Sequence, residues 1–338
     1  MLCILADDLT GAFDAAGPFA QRGMSVAVAL HPTAVGKAVA TGCDVVAVST
    51  RSREIPAAEA AARVAAVRAA LPPGARLFKK VDSRLKGNVA AELAALHPDR
   101  LFVAPAIPAF GRIVRDGSVC GFGVDVPLPV AKALGDLAPR AIVPDVSTDA
   151  DMLAALRTAP EGALLVGARG LAEALATQIT GRAALPFTLP VFTRLLMVIG
   201  SRDPITTAQV AALRRQNGVD WRDAPNGILG LHGALQKVTV VQATPGATSA
   251  APDSVTAALA QSVHPRLTRQ ADGLFLTGGA TAEAVLQGMA LDVLHLNGEV
   301  LPGVPLASAG GQSIILKSGG FGAEDWLVRL AQGLLGAS

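Results

Sequence analysis

Tyrosine is absent from this chain of 338 residues, tryptophan occurs twice, and all aromatics together make up 4%. Proteins that grip single-stranded nucleic acid stack bases on aromatic faces, so that class is poorly supplied here. Charge of one sign is lacking too. The 29 Lys and Arg nearly balance the 27 Asp and Glu, leaving a formal +2 and no broad basic field for a polyanion. No nucleic-acid partner is expected. Cysteine is scarce: Cys3, Cys43 and Cys120 are widely spread, odd in number and without a CxxC spacing, which fits reduced thiols in a cytoplasmic protein. The five histidines (His31, His97, His232, His264 and His295) show no metal-ligand spacing, so no protein-built metal centre is expected. Uninterrupted apolar runs stay below about 18 residues, which predicts no membrane span. The start, Met1-Leu2-Cys3-Ile4-Leu5-Ala6-Asp7-Asp8, has no basic segment and does not read as a signal peptide.

Apolar mass and turn formers are what the chain does hold. Hydrophobic residues reach 51%, with 35 glycines and 22 prolines. The length suits two domains. Short apolar runs alternate with longer helical patterns. Strands are expected over 2–6, 25–30, 44–49, 76–81, 100–104, 141–143 and 163–166. Helices are expected over 12–22, 57–71, 148–157 and 171–177. A proline-bearing stretch without periodicity, 181–190, reads as a boundary. After it come strands over 195–199, 237–241, 273–276 and 313–316, with helices over 206–216, 253–262, 281–289 and 325–335. Continuous apolar strands between helices argue for parallel sheets covered on both faces. The expected fold is therefore α/β, with two α/β domains, 1–185 and 190–338, each a mainly parallel sheet flanked by helices. In such sheets ligands bind beyond the carboxyl ends of strands.

Four successive strand ends in the first half carry polar clusters. Asp7 and Asp8 end the first strand, with Thr10 and Gly11 opening a helix. Adjacent strand residues point oppositely, so one of the two acids is expected to cap the helix or bond the backbone and the other, Asp8, to meet a ligand. Thr50-Arg51-Ser52-Arg53 follows the third strand, and its arginines can fork onto a carboxylate. The densest cluster is Lys80-Val81-Asp82-Ser83-Arg84-Leu85-Lys86-Gly87-Asn88. Lys80, Arg84 and Lys86 can neutralise an anion, while Asp82 and Asn88 can hold hydroxyls. A proline-rich loop, 105–112, then presents Arg112. The ligand these groups ask for is small, anionic and hydroxylated.

The second half carries glycine at three strand ends: Gly200-Ser201, then Thr277-Gly278-Gly279-Ala280-Thr281, then Lys317-Ser318-Gly319-Gly320-Phe321-Gly322. Glycine lets backbone N–H groups converge on an anion, and a helix N-terminus adds favourable dipole charge. The string GxxxxGK[ST] is missing, so this is not a P-loop, and no GxGxxG follows the first strand. Asp-x-Asp-x-Thr, which an aspartyl-nucleophile phosphatase needs, is also absent.

With both sets of strand ends read, the chain resembles the four-carbon acid sugar kinase family nearly end to end. The resemblance rests on residues 6–12 with Asp14, on 80–88, on 105–112, on Gly298-Glu299-Val300-Leu301-Pro302-Gly303-Val304-Pro305, and on 317–322 followed by Asp325. It implies ATP- and Mg²⁺-dependent phosphorylation of the terminal (C4) hydroxyl of threonate, erythronate or a 3-oxo-tetronate, at a site in the cleft between the domains. Carried over by position, Asp8 is the catalytic candidate. Asp7, Thr10, Arg51, Lys80, Asp82, Ser83, Arg84, Asn88 and Arg112 fall on the sugar side. Ser201, Gly278, Gly279, Thr281, Lys317, Gly319, Gly320 and Gly322 fall on the nucleotide side. The chain departs from the family pattern at Ala280, where an acid is usual, and at Lys86, where arginine is usual. A non-catalytic acid-sugar binder is the alternative that Ala280 raises. Apolar helix faces leave room for a homodimer.

Overall fold

A computed structural model describes residues 1–335, which form two compact units, Met1–Pro186 and a second beginning at Phe187. The first unit contains β1 (Leu2–Ala6), β2 (Val26–Ala29), β3 (Val45–Ser49), β4 (Arg76–Lys80) and β5 (Leu101–Ala104). These are followed by β6 (Arg112–Arg115), β7 (Ser118–Gly121), β8 (Val124–Pro129), β9 (Ala141–Ile142) and β10 (Leu164–Gly167). Seven of the strands build one parallel sheet, in the order β2-β3-β1-β4-β10-β5-β9. Its central strands are apolar on both faces, as LCILA in β1 and VVAVS in β3 show, because helices cover both sides. Register aligns Ala6 with Ser49 and Lys80, and Gly167 with Lys80 and Ala104. The residues that follow these strands therefore share one edge of the sheet.

Residues of the proline-rich loop and beyond form something the apolar pattern did not announce. β6, β7 and β8 make a separate antiparallel ribbon, tied back by a bridge between Val114 and Val146.

The second unit contains β11 (Leu195–Ile199), β12 (Asp220–Pro225), β13 (Val238–Thr244), β14 (Gly273–Thr277), β15 (Val293–Leu301), β16 (Val304–Ala309) and β17 (Gln312–Lys317). β12-β13-β11-β14-β17 run parallel, and β16 and β15 continue the sheet antiparallel through two hairpins. Ile199, Thr277 and Lys317 are in register, so the three glycine-bearing strand ends also lie on one edge. Phe275, Leu306, Ile315, Leu330 and Leu334 are among the buried core residues under this sheet, and the Phe275 and Trp326 rings meet with centroids 5.6 Å apart. Burying an aliphatic or aromatic side chain of this size contributes about 1.5–3 kcal/mol. Both units are thus α/β with mainly parallel sheets. Among the described residues, no helix is long and apolar enough to cross a membrane.

Candidate functional site

β1 stops at Ala6, and the two acids after it divide their work. Asp8 is the N-cap of helix Leu9–Ala20: its Oδ1 accepts the Gly11 N–H at 2.8 Å. Its Oδ2 accepts the Thr10 hydroxyl and the Arg53 Nη1–H, each at 2.8 Å. Asp7 is buried and takes a fork from the same guanidinium, Nε to Oδ2 at 2.8 Å and Nη2 to Oδ1 at 2.9 Å. Burial pushes the Asp7 carboxyl upward, but the Arg53 bond and the charges of Lys79, Arg53 and Lys80 outweigh it and hold Asp7 below the usual carboxylate range. Burial works in the opposite direction on Arg53, where the bond to Asp7 and the charges of Asp8, Asp7 and Asp82 prevail and raise its pKa. The expectation that one acid caps while Asp8 meets the ligand is thus corrected in one respect. Asp8 is itself the cap, with one of about four lone-pair directions left and a side chain 27% exposed.

Helix Leu9–Ala20 contains Pro18, which has no N–H to offer the Asp14 carbonyl one turn earlier. Arg169, at the start of helix Arg169–Thr180, donates to that carbonyl and to the Asp14 carboxylate, both at 3.3 Å. Asp14 in turn lies 3.9 Å from the Lys80 ammonium, which donates to the Val81 carbonyl at 3.1 Å. Lys80 is nearly buried, so its charge faces the Asp14 side of the corner.

Around these groups the 80–88 loop folds tightly. Asp82 accepts the Arg84 N–H at 2.8 Å. The Arg112 guanidinium donates to the Ser83 hydroxyl at 2.5 Å and to the Phe122 carbonyl at 3.0 Å and 2.9 Å. Burial first, then the neighbouring charge of Arg84, lowers the Arg112 pKa against the pull of Asp82. Arg84 is exposed. Asn88 faces inward: its amide donates to the Ser52 and Ile55 carbonyls, both at 2.8 Å. Arg51 takes a left-handed φ of 50° and sends its Nε to the Leu30 carbonyl at 3.1 Å, so Arg53, not Arg51, lies against the two acids. Asp8, Asp7, Thr10, Lys80, Asp82, Ser83, Arg84 and Arg112 are gathered at one edge of the sheet. Asn88 and Arg51 serve its scaffold. Arg53, read together with Arg51 as able to fork onto a carboxylate, makes that fork with the chain's own Asp7, and Arg169 was not among the candidates.

The second unit's edge is organised by a buried lysine. Lys317 ends β17, and its ammonium donates to the Thr206 hydroxyl at 2.9 Å and to the Gly319 and Ser318 carbonyls at 2.8 Å and 3.2 Å. Burial, partly offset by Asp203, lowers its pKa from 10.5 to about 8. Thr206 donates to Gly319 O at 2.8 Å, and the Gln209 amide donates to the Phe321, Gly322 and Ala323 carbonyls at 3.0, 3.1 and 2.9 Å. Residues 318–323 are therefore pinned by their carbonyls. A loop whose carbonyls are engaged from behind is free to present N–H groups outward. Gly278 has a φ of 94°, and a Cβ there would meet Ser201 N at 3.2 Å. A Cβ on Gly200 would overlap the Thr281 side chain. Gly279 starts helix Gly279–Gly288, whose first turn lacks any acid, and Ala280 within it is exposed. Gly320 is exposed as well. The Ser201 hydroxyl accepts the Asp203 N–H at 3.2 Å, and Asp203 caps helix Pro204–Arg214. Ser201, Gly278, Gly279, Thr281, Gly319, Gly320 and Gly322 thus share one corner, and Lys317 supports it from beneath. Asp203, Thr206 and Gln209 were not anticipated. Among the described residues, no three His, Cys, Asp or Glu side chains converge to hold a metal ion.

The chain is similar to known proteins. A family model described as a sugar-binding N-terminal domain matches residues 2–130, and one described as a nucleotide-binding C-terminal domain matches 230–327. A D-threonate kinase of Cupriavidus necator is 33% identical over 95% of this chain and 95% of its own length. A D-threonate kinase of Bordetella bronchiseptica is 30% identical over 98% of this chain and 96% of its own. Other relatives are named 3-oxo-tetronate kinase and D-erythronate kinase. A crystal structure of a Haemophilus influenzae protein, 21% identical, superposes with a TM-score of 0.75 over 98% of this chain and 100% of that one, which shows a shared fold.

Proposed function

The chain belongs to the four-carbon acid sugar kinase family, and from that membership we propose that it transfers the γ-phosphoryl group of ATP to the C4 hydroxyl of a tetronate, D-threonate being the first candidate. The full-length likeness to the D-threonate kinase of Cupriavidus necator carries this reading. The two polar edges support it chemically.

Phosphoryl transfer asks a protein mainly for positioning and charge neutralisation. On the sugar side, Lys80, Arg84 and Arg112 supply cations for the acid's carboxylate, while Asp82 and Ser83 offer partners for its hydroxyls. Asp8 has an open lone-pair direction and aligns the attacking hydroxyl, accepting its proton as the bond to phosphorus forms. Its Oδ2 is fixed by Arg53 and Thr10, so the acceptor points one way. On the nucleotide side, the glycine-bearing 318–322 loop, with Ser201 and the N-terminus of helix Gly279–Gly288, suits phosphate oxygens. Mg²⁺ bound with ATP would offset charge on the phosphate oxygens, and such an ion is usually held by one or two carboxylates plus phosphates. Asp203 fits that need: Ile205 N–H bonds only its Oδ1, and its Oδ2 lies toward Gly320.

The test is ADP release with Mg-ATP against stereoisomers of threonate, erythronate and 3-oxo-tetronate, with the product phosphate located by NMR. Turnover giving a 4-phosphate is expected, and silence across the panel from folded protein rejects the reading. Asp8→Asn should keep the helix cap, since Asn and Asp cap about equally, yet lower turnover by roughly 100-fold or more with ATP affinity little changed. Near-normal turnover in that variant would remove Asp8 from the mechanism. One observation favours a second reading, a non-catalytic acid-sugar binder: the acid-free first turn at Ala280. Calorimetry showing tetronate binding without ATP binding would favour it.

A further inference from the structure

Beneath the Asp7–Arg53–Asp8 group lies a charged array that the reaction does not touch. Lys79 and Glu92 are 0% and 1% exposed, and their charged groups meet at 2.7 Å. Isolated ions are expensive to bury, so such a pair persists only when its remaining bonds are filled. Here they are. The Lys79 ammonium also donates to the Lys80 carbonyl at 2.9 Å and the Leu5 carbonyl at 3.4 Å, which uses its three protons. The other Glu92 oxygen accepts a short bond from the Ser52 hydroxyl, and Ser52 and Thr50 hydroxyls meet at 2.6 Å.

Proton counting gives this chain a direction. Each hydroxyl has one proton, and Ser52 spends its own on Glu92. The Thr50 hydroxyl lies 2.9 Å from the Ala6 carbonyl and 2.6 Å from Ser52; with the Ser52 proton on Glu92, its own proton turns to Ser52, and the Ala6 carbonyl keeps the Thr50 N–H at 2.8 Å. The sequence Thr50 to Ser52 to Glu92 ends on a carboxylate whose other oxygen meets the Lys79 ammonium. Meanwhile the Ser52 N–H bonds the Asp7 carbonyl at 2.9 Å, and Asn88 holds the Ser52 carbonyl. Every polar group of Ser52 is thus tied down one residue before Arg53.

We propose that the Lys79–Glu92–Ser52 array is a positioning device: it fixes the 50–53 turn so that Arg53 forks onto Asp7 while holding Asp8, and thereby aims the Asp8 carboxylate. These are positioning residues, acting through Arg53, and the assignment rests on the kinase reading for its consequence but not for its geometry. Its reach is electrostatic as well, since the Lys79 charge is one of those that keep Asp7 ionised.

Two measurements test it, on the full chain. Ser52→Ala cuts the link and leaves the ion pair in place; Glu92→Gln presents an amide that cannot accept from both Lys79 and Ser52. In either variant kcat for the tetronate should fall about tenfold or more, with the Michaelis constant for ATP within about twofold, because misplacement of an aligned group is costly. The second readout needs no turnover. The Arg53 Nε–H NMR signal, bonded to Asp7 in the native protein, should shift and lose its exchange protection. A merely structural role would lower the melting temperature and leave that signal in place, which overturns the proposal. If native protein turns over no tetronate, the kinase reading falls, and the Arg53 signal still decides this one. Should Glu92→Gln fail to fold, Ser52→Ala alone decides.

Discussion

Replacing Arg53 with methionine removes the guanidinium and keeps much of the stem. Three charge-assisted bonds vanish, two to Asp7 and one to Asp8. Asp8 can turn to water, being 27% exposed, but the Asp7 side chain, 3% exposed, cannot. Stranding one partner of a buried pair costs about 3–5 kcal/mol, and because Lys79 and Lys80 still favour the anion, the lower end, about 3 kcal/mol, is expected. That is roughly a 150-fold loss in the folded-to-unfolded ratio. The sign of its pH dependence comes from Asp7. In the native protein its pKa lies below the ordinary 3.8, so its contribution is full above that value and is lost as pH falls through the depressed one. Without Arg53, burial is opposed only by the lysines, and the Asp7 pKa rises. The variant's deficit should therefore be largest at neutral pH and shrink as acid protonates Asp7. Urea unfolding followed by far-UV circular dichroism at pH 7 and pH 4 measures both points. A deficit below about 1 kcal/mol at pH 7, or one equal at the two pH values, refutes the view that Arg53 chiefly compensates a buried Asp7.

Two further outcomes are expected. Lys317 titrates at about 8 in the folded chain against 10.5 when free, so stability should climb as pH passes from 8 to about 9, where the unfolded chain alone holds the proton; above 9 the buried Cys3 thiol, pushed from 9.0 up to about 12, works in the opposite direction. No tyrosine titrates across that window, and Lys317→Met should flatten the climb in urea titrations; an unchanged climb would show that Lys317 is not its source. Gly278→Ala forces a side chain onto a φ of 94° beside Ser201, and should cost about 1–3 kcal/mol of stability and weaken nucleotide binding by calorimetry while leaving tetronate binding intact. Unaltered nucleotide affinity would place the phosphates elsewhere.

Much of this was legible in one dimension. A continuous apolar run such as Leu2–Ala6 or Leu195–Ile199 declares a buried parallel strand, because both faces must be apolar. Residues just after such a strand lie at the ligand edge, so Asp7–Asp8, Lys80–Asn88 and the glycine strings could be picked out by position alone. Beside short helices such as Val35–Ala40 and Val130–Leu134, the misses were strands whose patterns do not carry that signature. DWRDAP in β12 is largely polar, and the ribbon of β6, β7 and β8 and the hairpin of β15 and β16 pair antiparallel, where one face can stay wet.

Local periodicity and residue strings in order were enough to set the two α/β series, the polarity of each strand end and the family. The folded chain alone set which way each charge points. Arg51 and Arg53 differ in nothing the sequence records, yet a left-handed turn at Arg51 sends one to a carbonyl and the other to two carboxylates. Lys317 looks like a phosphate ligand in a glycine loop and instead bonds that loop's own carbonyls. Lys79 and Lys80 are neighbours on one strand, and the pleat sends one to Glu92 beneath and the other toward Asp14. Composition fixes how many charges a chain carries. Their partners are set by backbone turns and by contacts between residues far apart in sequence, and no window of neighbouring residues contains those.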